Sequence, residues 1–108
     1  MSIAVTLEEL PSRIAERPWA YLLTVGDEGR AHMVATVPQR RGDNLIVEAG
    51  KRTQANAIRQ PLLALVYPPI EEHGFSLIVD VVAAVEDGVI VLTPTNAVLH
   101  RPAIAADE

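Results

Sequence analysis

Cysteine is absent from the chain, which excludes a disulfide framework and any thiolate that could serve as nucleophile or metal ligand. Its absence fits a reducing compartment. Aromatic residues make up only 4% of the sequence, so the core must be packed from Val, Leu, Ile and Ala. No long hydrophobic run is present either: the most apolar stretch, Phe75 to Val85, is broken by Asp80 and is too short to span a bilayer. Met1 to Thr6 lacks the basic and apolar segments of a secretory leader. A cytoplasmic location with no membrane partner is therefore expected. Positive charge is also scarce. The formal net charge is -5, which argues against nucleic acid as a partner. The three histidines, His32, His73 and His100, share no metal-ligand spacing, so no metal site is expected.

What the chain does have is apolar and β-branched. At 108 residues and 49% hydrophobic it suits one domain spanning 1–108. Clustered Val favours strands, because branching at Cβ suits a pleated surface better than a helix. Thr6-Leu7-Glu8-Glu9 reads as a capping box. Leu7, Leu10 and Ile14 then share one helical face, which predicts a leading helical segment within 1–17, complicated by Pro11. Strands are predicted over 19–25, 30–37, 45–49, 62–67, 75–85 and 89–93. Polar turns fall at 26–29 and 39–44, and Asp87-Gly88 joins the last two strands. A short helix is predicted over 51–60, ended by Pro61. One helical turn is predicted over 96–100, and a frayed tail over 103–108.

Six short strands linked mostly by tight turns point to an antiparallel barrel or sandwich. The later strands are apolar on much of both faces. A barrel this small has one interior, so the surplus apolar face calls for cover by a second copy of the chain.

The segment most suggestive of chemistry is Gly50-Lys51-Arg52-Thr53-Gln54-Ala55-Asn56. It follows a strand and opens a helix, where free backbone N–H groups and the helix dipole favour a phosphate. Lys51, the only lysine, and Arg52 add charge, and Thr53 adds a hydroxyl. No acidic residue lies between Glu48 and Glu71. A small basic island on an acidic protein suits a compact anion. An ordinary solvated loop with an N-cap is the plain alternative for the same residues.

Three pieces carry a resemblance that covers nearly the whole chain: AYLLTVGDEGRAHMV at 20–34, LIVEAGKRTQANAIRQPLLALVYPP at 45–69 and FSLIVDVVAAVEDGVIVLTPTNAVLHRP at 75–102. In that order they resemble the FMN-binding split β-barrel family related to pyridoxamine 5′-phosphate oxidase. The resemblance implies a mainly β, six-stranded antiparallel split barrel that works as a homodimer. It also implies a flavin (FMN), or in one branch a deazaflavin coenzyme, in each groove between subunits. Lys51, Arg52 and Thr53 would then hold the phosphate with Asn56 nearby, and Val34, Thr36 and Val47 would offer backbone or side-chain contacts to the ring.

The chain departs from the family at Val82, where relatives often have Gly, and at Ala31, where they often have Pro. It also lacks the carboxy-terminal extension with which pyridoxamine phosphate oxidases grip their substrate, so vitamin B6 activity is not expected. The resemblance therefore implies a flavin-dependent oxidoreductase. The alternatives are a deazaflavin-dependent reductase, or a non-catalytic protein that binds a flavin or another phosphate ligand, or none. No residue is assigned a catalytic role. His32 either faces the groove as a proton donor to the ring or is a partly exposed strand residue. His73 and Asp80 are expected to face solvent, and His100 to anchor the tail. Ser76 has no adjacent base, so a hydrolytic triad has no support.

Overall fold

A computed structural model describes residues 1–103. The organising element is a long hairpin of β7 (Ser76–Glu86) and β8 (Val89–His100), turned at Asp87-Gly88 with both residues at positive φ. Leu77, Val79 and Val81 of β7 are buried, and the residues between them are partly or fully exposed, as the alternation predicts. The two strands pair along their whole length, with an irregularity between Asp80 and Val81.

The remaining strands add to this hairpin. On the β7 side come β6 (Leu62–Tyr67), then β2 (Ala20–Val25), then β3 (Ala31–Thr36) as an edge. On the β8 side the first half of β8 pairs with β5 (Asn44–Glu48), which pairs with β4 (Gln39–Arg41). The second half of β8 pairs with β1 (Ser2–Val5). All pairings are antiparallel, and the sheet curls into a half-barrel around Leu22, Leu65, Tyr67, Val47, Ile90 and Leu92. The helices are α1 (Leu10–Ala15) and α2 (Lys51–Arg59), which place Leu10 and Ala57 in that core. No helix among the described residues is long and apolar enough to cross a membrane.

The described residues form eight strands where the sequence predicts six. Each difference arises from long-range pairing that local patterns do not report. Ser2–Val5 falls in the predicted leading helical segment but is a strand, because it covers the open flank of Ala97–His100. The helix that follows is shorter than predicted. Thr6 Oγ1 accepts the Glu9 N–H, the first half of a capping box, but Glu9 Oε1 accepts from the Thr6 hydroxyl and not from its backbone N–H, and the pair closes only a turn. The helix proper starts at Leu10, with Pro11 in its first turn where no N–H is needed. Gln39–Arg41, predicted as part of a turn, pairs with Asn44–Ile46. Residues 96–100, predicted as a helical turn, continue β8. Pro94 lies opposite Val81 at the irregularity, where a missing N–H is tolerated, and Ala97 and Leu99 resume the buried alternation beyond it. Of the frayed tail predicted over 103–108, residues 104–108 lie outside the described residues.

Arg17 ties the ends of the Pro68–Gly74 loop together. Its Nη1 donates to the carbonyls of Tyr67 at 3.4 Å, Pro68 at 3.1 Å and Phe75 at 2.9 Å. Arg101 stacks over the Phe75 ring at 4.4 Å, and His100 meets Ser2 Oγ at 2.9 Å, so the carboxy-terminal end of β8 is anchored to β1.

Tyr67 is buried in the core, and its hydroxyl has no hydrogen-bond partner among the described residues. Burial pushes its phenol well above the ordinary range. Tyr67→Phe is expected to stabilise the protein by about 1 kcal/mol in urea unfolding, because it removes an unsatisfied buried group without changing shape. A loss of that size would show that the hydroxyl has a partner.

Candidate functional site

The Gly50 turn lies where β5 ends and α2 begins. Gly50 is the N-cap in extended conformation, and its carbonyl accepts the first helical bond from Gln54 N at 3.0 Å. No side chain caps this end, so the N–H groups of Lys51, Arg52 and Thr53 have no partner within the helix. A Cβ built on Gly50 would meet nothing within 4 Å, so the turn is open on that side. Gln54 Nε2 fixes the turn from behind by donating to the carbonyls of Ala49 at 2.7 Å and Gly88 at 3.2 Å.

The helix is locked to β2 by buried polar contacts. Asn56 Nδ2 donates to Thr24 Oγ1 at 3.1 Å, and both residues are buried. Arg59 Nη2 donates to Asn56 Oδ1 and to the Val25 carbonyl, each at 3.1 Å. Burial of Thr24 and Asn56 is tolerated because each satisfies the other. This bridge fixes the direction of α2 and therefore where its first turn points.

It points toward the start of β3. Arg52 Nη2 donates to His32 Nε2 at 3.2 Å, and Glu28 Oε1 of the β2–β3 turn is 4.0 Å from the same nitrogen. His32, Val34 and Thr36 lie opposite Thr24, Leu22 and Ala20 in the register, so all three look to the inner side of the sheet. From His32 to Thr36 the strand advances roughly 13 Å at 3.3 Å per residue. Because β3 is an edge, its backbone groups on the far side are unpaired with any described strand.

The residues expected at the site divide accordingly. Lys51 and Arg52 are exposed at the turn, and Val34 and Thr36 line the adjoining edge strand. Thr53 and Asn56 are buried, and the Asn56 side chain is already committed to Thr24 and Arg59. Val47 is wholly buried in the core, backbone included, so the single chain offers none of it to a ligand. His32 joins the turn through Arg52, a contact between residues 20 apart that no local motif announces. Asp80 and His73 face solvent. The described residues hold no cluster of side chains suited to a metal ion.

A cavity of about 350 Å³ lies elsewhere, at the opposite end of β5, between Leu7, Leu10 and Ile14 on one side and Leu45 and Pro94 on the other. It does not adjoin the Gly50 turn. On the single chain, that turn and the β3 edge form an open surface.

Among solved structures the fold is similar to that of a Listeria innocua protein named after pyridoxamine 5′-phosphate oxidase. That likeness has a TM-score of 0.72 at 12% identity, over 86% of this chain and 96% of the other. It is also similar to an F420 reductase, with a TM-score of 0.63 at 18% identity over 80% and 94% of the two chains. A third likeness is to the FAD binding protein from Mycobacterium smegmatis, with a TM-score of 0.66 at 14% identity over 94% and 100%. At these identities the likeness shows the fold, that of the split β-barrel proteins. No protein-family model matches the chain. Two proteins, Uncharacterized protein Mb0449c of Mycobacterium bovis and Uncharacterized protein MT0457 of Mycobacterium tuberculosis, are each 34% identical to it over 92% of this chain and 82% of their own length. At that identity and coverage the chain belongs to the same family as these two mycobacterial proteins.

Proposed function

We propose that the protein is a flavin-dependent oxidoreductase of the split-barrel type, with FMN in a groove completed by a second copy of the chain. The observation that carries this reading is the joining of two surfaces by the Arg52–His32 contact. An open, cationic helix start suited to a phosphate runs into an unpaired edge strand suited to a flat ring. Two solved structures of this fold are named for F420 reduction and FAD binding and a third for pyridoxamine 5′-phosphate oxidase, which supports a cofactor of the flavin type.

In this reading Lys51 and Arg52 supply charge to the phosphate, and the N–H groups at the start of α2 supply donors. Thr53 lies too far inside to be more than a partial contributor through its hydroxyl. The inner face of β3 at Val34 and Thr36 seats the ring. When bound, FMN supplies the electron-accepting ring, and the chain's own part is to hold it and exclude water. Asn56 acts here as a positioning residue, holding α2 against Thr24.

The second copy is needed because the site is open on one chain and the outer sheet face is apolar. Met33, Leu23 and Ala64 form one outward apolar row across three strands that ends at Asp80 on β7, and on the same face Leu62 lies beside Val82. Met33 on β3 and Leu62 on β6, with β2 between them, are 60% and 67% exposed. The side chain of Val82, where relatives often have Gly, adds to this apolar face at 39% exposure.

The visible spectrum of the purified protein after FMN addition and gel filtration tests the cofactor. Flavin bands that travel with the protein are expected, and Lys51→Ala and Arg52→Ala should each weaken FMN binding about tenfold, the worth of one charge-assisted hydrogen bond. A colourless protein would sink the FMN reading, and retention of the deazaflavin coenzyme instead would identify the close variant. Stoichiometric flavin binding without oxidation of a reduced nicotinamide donor would point to a non-catalytic binding protein.

The dimer has its own test. Leu62→Glu combined with Val82→Glu should convert a dimer to a monomer in sedimentation and lower FMN affinity with it. A monomeric wild type, or a variant that stays dimeric, would count against the outer face as the interface.

A further inference from the structure

The corner where Arg52 meets the β2–β3 turn contains more than the anion site requires. Arg52 carries only donors, so its 3.2 Å contact with His32 Nε2 requires that nitrogen to accept, which a protonated imidazole cannot do. The contact therefore exists only while His32 is neutral, with its proton on Nδ1. Protonation turns a hydrogen bond into a contact between two cations. At the same time it gives Glu28, whose Oε1 is 4.0 Å from the same nitrogen, a cationic partner.

The corner is built to allow both arrangements. A Cβ on Gly26 would fall 2.6 Å from Glu28 Oε1 and 2.9 Å from His32 Nε2, so the absence of a side chain is what lets the carboxylate and imidazole approach each other over the turn. The turn itself is fixed: Gly26 N donates to the Arg30 carbonyl at 2.8 Å, and Gly29 N to the Gly26 carbonyl at 2.9 Å. The His32 side chain is 24% exposed and Glu28 57%, so protons and counterions reach them freely. The other charged groups of the elements around this corner are Asp27 and Arg30 in the β2–β3 turn and Lys51 and Arg59 on α2. Of these, Arg59 is held by the Val25 carbonyl and Asn56.

We propose that His32 is a proton-controlled positioning residue for Arg52. When neutral it holds the guanidinium against the β2–β3 turn, and when protonated it turns to Glu28 and releases Arg52 to an anion at the Gly50 turn. The inference rests on the reading of that turn as an anion site. Its sign follows directly. The protonated form of His32 is the one that frees Arg52, so anion affinity rises as pH falls, and binding an anion draws a proton onto the protein.

Sulfate is the suitable probe, because it stays a dianion across the range in which imidazole takes up a proton, whereas a phosphate changes its own charge there. Binding is read from sulfate-induced shifts of the backbone amide signals of Lys51, Arg52 and Thr53 in two-dimensional NMR. For the wild type, affinity should rise about tenfold from pH 8 to pH 5.5, one charge-assisted hydrogen bond gained. His32→Gln, which can meet Arg52 at any pH, should bind sulfate with no such slope. Arg52→Ala should bind more weakly and also without slope. Gly26→Ala, which alters no charge and crowds only side-chain ends, should flatten the slope by pushing His32 and Glu28 apart.

If sulfate moves none of these amides at any pH, the anion site fails and the inference with it. If sulfate binds but the wild type shows no slope, or His32→Gln keeps one, the anion site stands and the latch is overturned. A slope that survives in Arg52→Ala would mean that His32 meets the anion itself, which overturns the positioning role.

Discussion

Everything in this molecule hangs on the pairing of β7 with β8. These are the two longest strands, and their hairpin exposes two flanks of backbone that must be covered. The β7 flank takes β6 and, through it, β2 and β3; the β8 flank is shared between β5 and β1. No short strand could serve both β5 and β1, because each needs its own half of β8. The break in register at Asp80 and Val81 lets one strand do so, by absorbing Pro94 where the ladder would otherwise lose a bond. The length of this hairpin also sets the curl of the sheet, since a twisted ladder this long closes around its inner side chains.

The functional corner is a consequence of that curl. It brings the end of β5 and the start of β3, far apart in the strand order, together at the first turn of α2. The helix is then held by one buried polar bridge, Asn56 to Thr24, with Arg59 closing over it. A polar bridge fixes direction better than apolar packing, because a rotated helix would leave Asn56 and Thr24 buried and unpaired. Asn56 is therefore better understood as the reason the Gly50 turn faces β3 than as a ligand of whatever binds there.

Much of this was legible from local pattern. The strand at Leu62 to Tyr67, the long strand ending near Val85 and the helix closed by Pro61 follow from alternation, β-branching and proline chemistry, and all three stand in the structure. Of the capping box expected at Thr6 and Glu9, the bond from the Glu9 N–H to the Thr6 hydroxyl forms, but it closes a turn, because Pro11 allows a helix to start afresh at Leu10. What local pattern could not supply was pairing. Ser2 to Val5 and Gln39 to Arg41 are strands only because β8 and β5 lie beside them, and Ala97 to Leu99 extends a strand past a proline only because Leu77 and Val79 face it. The same holds at the candidate site. Lys51 and Arg52 were visible as a basic island after a strand. The meeting of Arg52 with His32 was not, since the chain between these residues, 20 positions apart, carries no trace of the curl that joins them.

Charge explains why the corner suits a small anion and little else. The chain carries a formal net charge of -5, so a long polyanion would meet repulsion over most of the surface. Lys51 and Arg52 act over a short range, because exposed charges are screened within about 8 Å at physiological salt. Only a group that fits inside that radius gains from them, and a single phosphate or sulfate does.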